Sequence, residues 1–255
     1  MKNPIIIANW KMQLNAADAV ALAKKVKKAS AKYKDAEVVL CPSFTELAAV
    51  AAALKGSSVA LGAQDCFWEE RGAYTGEVSP QVLKEYGVQY VIVGHSERRM
   101  HLGGTDSMVN RKIRMLLSLN MTPILCVGER FEERQEGRKD HVILQQLTRD
   151  LAGVWFTALN RLIVAYEPVW VIGSGQDVDP EEIEHTSRVI RQSLYDQLPD
   201  DLVDEQIKII YGGSVDPENV RPYLGQPGIA GALVGGASLE AAAFSAIVAA
   251  ALKST

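Results

Sequence analysis

The chain has 255 residues, of which 47% are hydrophobic and 23% are charged, a composition typical of a globular protein and not of a disordered one. A net charge of −4 at pH 7 excludes the basic surface that nucleic-acid binding requires, but leaves room for a local cationic pocket. The 3 cysteines and 4 histidines are scattered without metal-ligand spacing, so we expect no disulfide framework, no metal site and no bound metal. The apolar runs at both ends are too short for a signal peptide or a membrane span, which favours a cytoplasmic protein.

Short runs rich in β-branched residues recur along the chain, and a helical pattern follows each of them. The predicted strands are Ile5–Ala8, Val38–Cys41, Val59–Ala63, Tyr90–Gly94, Thr122–Val127, Leu162–Tyr166, Ile207–Tyr211 and Ile229–Val234. The predicted helices are Ala16–Ala31, Thr45–Leu54, Pro80–Tyr86, Asp106–Leu119, His141–Leu151, Pro180–Asp196, Pro217–Tyr223 and Leu239–Leu252. Most of the strands are continuously apolar, as expected for parallel strands that are covered on both faces.

Eight strands that alternate with eight helices are the element count of a (β/α)8 barrel of the α/β class. An open doubly wound sheet is the alternative, but it requires a glycine-rich first turn, which Asn9-Trp10-Lys11 does not provide. No linker or change of composition divides the chain. We therefore predict one barrel domain over residues 1–255.

Polar residues and glycines follow most of the predicted strands. In a (β/α)8 barrel the carboxyl ends of all strands meet at one rim, where active sites form. Each of these residues alone is weak support, but their convergence predicts a site. They are Asn9, Lys11, Asp65, His95, Glu129, Glu167 and the glycine pairs at 212–213 and 235–236.

Glu167 lies between an apolar strand and a glycine-rich loop. The proline that follows it disfavours the α-helical region for Glu167, so its side chain is expected at the strand end and outside any helix. The pattern predicts a carboxylate with a mobile flap that ends at Gly173-Ser174-Gly175. Taken alone, the segment also fits an ordinary loop with one exposed acid.

His95 and Lys11 are the other candidates for chemistry. A helix that begins just after His95 favours the neutral imidazole, which can donate a hydrogen bond to a carbonyl oxygen. Lys11 could stabilise an oxyanion, form a Schiff base, or be a solvated surface residue. The glycine turns that end the last two strands predict a nest of backbone N–H groups for a phosphate.

Seven short stretches, in this order and at these spacings, resemble the triosephosphate isomerase family over essentially the whole chain. They are Asn9-Trp10-Lys11, Gly72-Ala73-Tyr74-Thr75-Gly76-Glu77, Gly94-His95-Ser96-Glu97-Arg98-Arg99, Cys126-Val127-Gly128-Glu129, Ala165-Tyr166-Glu167-Pro168-Val169-Trp170, Tyr211-Gly212-Gly213-Ser214 and Leu233-Val234-Gly235-Gly236-Ala237-Ser238. The resemblance implies a TIM barrel, a homodimer and an isomerase of glycolysis and gluconeogenesis that needs no cofactor.

The same resemblance implies the roles of the catalytic residues. Glu167 is the general base that moves a proton between carbons 1 and 2 of dihydroxyacetone phosphate, which gives D-glyceraldehyde 3-phosphate through an enediolate. His95 polarises the carbonyl, and Lys11 and Asn9 stabilise the negative charge. Backbone N–H groups bind the phosphate under the flap, which acts as a lid; they belong to Gly173, Ser214, Gly235 and Gly236.

Further residues are implied to support this chemistry. Ser96 holds Glu167 when the lid is open, and Glu97 lies behind Lys11. The supporting residues of the lid and its surroundings are Cys126, Glu129, Pro168, Trp170 and Tyr211. Pro168 and Trp170 form a stiff hinge, and Glu129 accepts a hydrogen bond from Trp170. Tyr211 and Ser214 receive the closed lid. Thr75 lies in the loop that reaches the active site of the neighbouring subunit.

The chain departs from the common family pattern at several positions. Gly104 replaces a glutamate near the expected interface, and Asp65 replaces an asparagine. In the lid, Val171, Ser174 and the 176–178 hinge also differ. Two alternatives stay open: an aldolase-type barrel that uses Lys11 as a Schiff base, and a phosphate-binding barrel without activity.

Overall fold

A computed structural model describes residues 3–174 and 176–253, so Gly175 of the predicted flap and the ends of the predicted 1–255 domain lie outside the described residues. Eight parallel strands close into a barrel in sequence order. They are β1 (Ile5–Asn9), β2 (Glu37–Cys41), β3 (Ala60–Ala63), β4 (Val88–Val93), β5 (Thr122–Val127), β6 (Leu162–Tyr166), β7 (Ile207–Tyr211) and β8 (Ile229–Val234). The predicted TIM barrel is confirmed.

Helices cover the outside of the barrel. They are α1 (Ala16–Ser30), α2 (Phe44–Leu54), α3 (Pro80–Glu85), α4 (Ser96–His101), α5 (Asp106–Ser118), α6 (Phe131–Gln135), α7 (Lys139–Asp150), α8 (Pro180–Tyr195), α9 (Asp200–Gln206), α10 (Val220–Leu224) and α11 (Ala241–Ala251). The sequence analysis did not delimit α4, α6 and α9, which are too short for a clear helical period. Among the described residues, no helix is long and apolar enough to cross a membrane.

The predicted helix at Pro217–Tyr223 begins later than expected, at Val220. The cause is a turn closed by the Asp216 carboxylate, whose Oδ1 accepts the backbone N–H groups of Glu218 at 2.9 Å and Asn219 at 2.8 Å. A short polar side chain that bonds nearby backbone groups competes with helix formation in this way.

Successive strand residues face two different cores, which explains why the strands are apolar throughout. Ile5 and Ile7 of β1 lie in a cluster inside the barrel with Ile92, Ile124 and Ile163. The residues between them on each strand, such as Ile6, pack outward against the helices. Burial of both strand faces is the usual state of a parallel sheet under helices.

Barrel closure brings β8 against β1, with Gly231 opposite Ile5. A Cβ atom built on Gly231 would overlap the carbonyl carbon and oxygen of Ile5. Glycine is therefore required at this position because the two backbones approach too closely for a side chain.

We expect Gly231→Ala to lower the free energy of unfolding by about 3 kcal/mol, since the added methyl forces the β1–β8 pairing apart. Urea denaturation followed by circular dichroism measures the effect. Gly236→Ala is the matched control, because a Cβ there meets no atom within 4 Å. Equal midpoints for the two variants would contradict the proposed role of Gly231.

Candidate active site

A cavity of about 370 Å³ opens at the carboxyl ends of the strands. It brings together residues from both ends of the sequence, as the barrel topology predicts. The residues proposed for catalysis and phosphate binding that line it are Asn9, Lys11, His95, Glu167, Gly173, Ser214, Gly235 and Gly236.

Glu167 follows β6 directly and is only 1% exposed. Its backbone N–H donates to the carbonyl oxygen of Val127 at 2.8 Å, so the pairing of β5 and β6 fixes its backbone. One carboxylate oxygen, Oε2, accepts the backbone N–H of Ser96 at 3.0 Å. The other, Oε1, lies 3.2 Å from Nε2 of His95 but makes no hydrogen bond of good geometry within the part of the chain that the structure describes. A buried carboxylate with one free oxygen is well placed to accept a proton.

Ser96 contacts Glu167 through its main chain. The Ser96 side-chain oxygen is buried and makes no hydrogen bond within the described residues. The N–H group that holds Glu167 belongs to the first turn of α4, where backbone N–H groups have no helical partner.

His95 is the N-cap residue of α4 and is 6% exposed. Its Nδ1 accepts the backbone N–H of Glu97 at 3.3 Å. An imidazole nitrogen that accepts a hydrogen bond carries no proton, so the ring is the neutral tautomer with its proton on Nε2. His95 lines the cavity, and its Nε2 lies 3.2 Å from Oε1 of Glu167.

Lys11 extends its amine across the rim to Glu97, with Nζ 2.6 Å from Oε1. Its backbone has φ of +50°, an uncommon conformation for a residue with a side chain. The Lys11 N–H donates to Oδ1 of Asn9 at 3.1 Å. The Lys11 carbonyl accepts the Ser43 hydroxyl at 2.9 Å and Nε2 of Gln64 at 2.8 Å. Three side chains therefore hold Lys11 in a conformation that costs about 1–2 kcal/mol.

Sequence reasoning missed Ser43 and Gln64, because neither residue type signals chemistry. It also missed Gln146 of α7, whose side-chain amide accepts the N–H of Gly128 at 2.8 Å and donates to the Gly128 carbonyl at 3.2 Å. A Cβ at Gly128 would overlap the backbone of Glu167. Gln146 thus fixes the end of β5 against which the carboxylate-bearing residue packs.

Asp65 lies outside the cavity, beneath α4. Its carboxylate is 4% exposed and pairs with Nζ of Lys112 at 2.6 Å and with Nε of Arg98 at 2.8 Å. Arg98 belongs to the same short helix as Ser96. The acid that departs from the family pattern therefore anchors the helix that holds Glu167.

The hinge before the lid is built around the fully buried Glu129. Its Oε1 accepts Nε1 of Trp170 at 2.9 Å, as expected from the resemblance, and the Tyr166 hydroxyl at 3.4 Å. Burial raises the pKa of the Glu129 carboxyl, and the hydrogen bond from Trp170 lowers it in part. The Arg134 guanidinium lies over the Trp170 ring at 4.5 Å, while Pro168 is buried at the hinge.

Among the described residues, Gly173 and Ser174 of the lid make no hydrogen bond to Tyr211 or Ser214, which are expected to receive it. Gly173 and Ser174 are exposed, and the Ser174 hydroxyl donates to Val171 within the lid at 3.0 Å. The Tyr211 hydroxyl is buried but makes no hydrogen bond among the described residues. We refer to this arrangement of residues 173–174 as open.

Cys126 lies at the end of β5 and is fully buried. Burial raises the pKa of its thiol well above the usual range, and the nearby charge of Glu167 adds to that shift. The thiol is therefore a neutral packing group under Glu167. Within residues 3–174 and 176–253, no group of three or more His, Cys, Asp or Glu side chains is placed to hold a metal.

Comparison with known proteins agrees with this geometry. A sequence model described as triosephosphate isomerase matches residues 4–251. A triosephosphate isomerase from Thermoanaerobacter sp. is 46% identical over 97% of this chain and 99% of its own length, and one from Dictyoglomus turgidum is 42% identical with the same coverage. The crystal structure of triosephosphate isomerase from Bartonella henselae superposes with a TM-score of 0.88 at 32% identity, over 97% of this chain and 98% of that one.

The neutral tautomer of His95 is open to direct test. With 15N-labelled histidine at pH 7, we expect the His95 ring to show one unprotonated nitrogen, Nδ1, and one protonated nitrogen, Nε2. His95→Gln assigns the signals by removing them. A protonated Nδ1 would contradict the hydrogen bond from Glu97.

Proposed function

The chain belongs to the triosephosphate isomerase family, and from this membership we propose how its own residues carry out the reaction. The activity of the family is the interconversion of dihydroxyacetone phosphate and D-glyceraldehyde 3-phosphate. We further propose that the protein acts in the cytoplasm, in glycolysis and gluconeogenesis. The observation that carries the residue assignment is the buried carboxylate of Glu167, whose Oε1 faces His95 and the cavity.

We assign Glu167 as the base that removes a proton from carbon 1 of dihydroxyacetone phosphate. The electron pair of the broken C–H bond forms the carbon–carbon double bond of an enediolate, and the carbonyl oxygen takes the negative charge. The protonated Glu167 then returns the proton to carbon 2, which gives D-glyceraldehyde 3-phosphate. A carboxylate and an electrophile are sufficient for this proton shift, so the proposed reaction needs no cofactor.

His95 and Lys11 stabilise the enediolate. The Nε2–H group of His95 donates to the oxygens at carbons 1 and 2 and passes a proton between them, and this family is itself the standard example of a neutral imidazole in that role. The Lys11 ammonium, supported by Asn9, supplies positive charge to the same oxygens and to the phosphate.

The phosphate binds at the far end of the cavity, at the glycines that follow β7 and β8. Gly235 and Gly236 have no side chains, so a phosphate can approach their backbone N–H groups closely. Ser214 lines the same end, and Gly173 at the tip of the lid completes the site. Lid closure excludes water from an enediolate that could otherwise lose its phosphate.

The contact between Lys11 and Glu97 argues against a Schiff-base mechanism. A Schiff base requires the amine to attack a substrate carbonyl, whereas Nζ of Lys11 is held 2.6 Å from Oε1 of Glu97. Borohydride treatment in the presence of substrate should leave Lys11 unmodified. A phosphate-binding barrel without activity is disfavoured because Glu167 is held with one oxygen free.

We expect Glu167→Gln to lower kcat about 1,000-fold in a coupled assay with glyceraldehyde 3-phosphate, because the amide cannot accept the proton. Inorganic phosphate should inhibit the variant as it inhibits the parent protein, since the phosphate site is intact. Turnover that survives this substitution unchanged would refute the assignment of the base.

We also propose that the protein is a homodimer joined through the loop at 72–77. Phe67 stacks on Trp68 with ring centroids 4.0 Å apart and contacts Tyr74 at 4.5 Å, which gives the protruding loop a rigid base. Tyr74 is nevertheless 46% exposed, and Leu102 is 63% exposed. Exposed apolar side chains around a structured loop are typical of an interface. The proposal places Thr75 in the partner's active site.

Thr75→Arg should convert the dimer to a monomer at micromolar concentration, because a bulky charge then enters a closely packed interface. Sedimentation velocity over a dilution series measures the change. Ser58→Arg places the same group on an exposed residue before β3, at the opposite end of the barrel, and should leave the protein dimeric. A dimer that persists in Thr75→Arg would argue against this loop as the interface.

A further inference from the structure

Asp177, on the C-terminal side of the lid, joins the lid to the segment that follows β7. Its Oδ1 accepts a hydrogen bond from Nδ2 of Asn219 at 2.9 Å and one from the Tyr223 hydroxyl at 3.0 Å. Tyr223 is 2% exposed and packs against the ring of Tyr211 at 4.8 Å, so its hydroxyl is held in place. Two donors that meet on one carboxylate oxygen form a directional attachment, stronger than that between neutral groups.

Asn219 connects this attachment to the phosphate end of the cavity. Its Nδ2 also donates to the carbonyl oxygen of Ser214 at 3.3 Å. Its Oδ1 accepts the backbone N–H of Asp216 at 2.9 Å, and its own N–H donates to the Asp216 carboxylate at 2.8 Å. The same side chain therefore shapes the turn that carries Ser214 and holds the end of the lid.

The attachment exists while the tip of the lid is open. Ser174 bonds within the lid, and Tyr211 has an unpaired hydroxyl among the described residues, yet Asp177 already contacts both of its donors. Val178, the next residue, is 3% exposed and packs in the core. The C-terminal end of the lid is thus held by hydrogen bonds and by burial of Val178, whereas Gly173 and Ser174 are exposed.

We propose that Asp177, Asn219 and Tyr223 form a clamp that positions the lid against the phosphate-binding loop in advance of closure. The inference rests on the proposed function, in which Gly173 and Ser214 bind the phosphate. A lid anchored at this end loses less conformational freedom when it closes, so phosphate binding is tighter. Asp177 lies between Gln176 and Val178, the two positions at which this hinge departs from the common family pattern.

Three substitutions separate the parts of the clamp. Asp177→Ala removes the acceptor, and Tyr223→Phe removes one donor and leaves the ring. Asn219→Asp replaces the Nδ2 donor by a carboxylate oxygen that repels Asp177. The Oδ1 atom at position 219 can still accept the backbone N–H of Asp216. Glu218→Gln is the matched control, because it removes a charge from the same turn and its exposed side chain makes no hydrogen bond or ion pair among the described residues.

We expect Asp177→Ala to raise KM for glyceraldehyde 3-phosphate, and the inhibition constant of inorganic phosphate, about tenfold, as for the loss of hydrogen bonds to a charged group. Tyr223→Phe should raise both about threefold in the parent protein and leave them unchanged in the Asp177→Ala background, because the acceptor is already absent. Glu218→Gln should match the parent protein.

A substrate without a phosphate distinguishes loss of lid positioning at the phosphate from a general loss of catalytic activity. Exchange of deuterium from solvent into D-glyceraldehyde, followed by NMR, should proceed equally in Asp177→Ala and the parent protein. An equal loss with this substrate would overturn the proposal, and so would a fall in KM, which would mean that the clamp holds the lid open. Additive effects of Tyr223→Phe and Asp177→Ala would also overturn it.

Urea midpoints measured by circular dichroism show whether the variants fold. If Asp177→Ala is unfolded, the proposal is tested with Tyr223→Phe alone, because that substitution deletes only one oxygen. An inhibition constant of phosphate equal to that of the parent protein would then overturn the proposal. Failure of the proposed function would give a different result from failure of the clamp. Glu167→Gln would then keep its turnover, while Asp177→Ala and Tyr223→Phe would still raise the inhibition constant of inorganic phosphate.

Discussion

The hydrogen bond from the Ser96 N–H group to Glu167 is the interaction on which the rest of the site depends. A carboxylate that is 1% exposed loses nearly all of its hydration, and that loss must be offset by hydrogen bonds and favourable charge. Here the offset is partial: one oxygen is bonded to the start of α4, and the other faces His95. Full satisfaction of both oxygens would stabilise the protein but leave the carboxylate less ready to accept a proton.

The surrounding structure keeps α4 in place so that this single bond can hold. His95 caps the helix and its Nε2 lies 3.2 Å from Oε1 of Glu167, so the start of one helix supplies both the donor that holds the carboxylate and the imidazole that faces it. Asp65 pairs with Arg98 on the same helix, and Gln146 fixes the strand end against which Glu167 packs. Positioning is thus spread over residues that never touch the cavity, as is common where geometry must be held closely.

The sequence was sufficient for the barrel and for the residues that line its cavity, because both follow from order along the chain. Continuous apolar strands indicated burial on both faces, and residues such as Lys11 and Glu167 directly after strands had to meet at one rim. Ser43, Gln64 and Gln146 could not be found in this way, because they act through hydrogen bonds to the backbone of residues distant in sequence. Short helices such as α4 were not delimited because six residues carry too little periodicity.

The effects of two acids near the rim, Asp65 and Asp177, depend on the groups with which each is paired. Asp65 adds a buried charge, and Lys112 and Arg98 converge on it, so the acid is paired rather than exposed to repulsion. Removal of one partner from such a cluster lowers the free energy of unfolding by more than the intact cluster contributes to it, because a buried charge is then left without a partner. Asp177 is exposed and is joined to neutral donors instead, so its contribution to stability is small and its effect is on geometry. Asp65 therefore holds the part of the rim that carries His95 and Glu167, and Asp177 holds the lid beside the turn that carries Ser214.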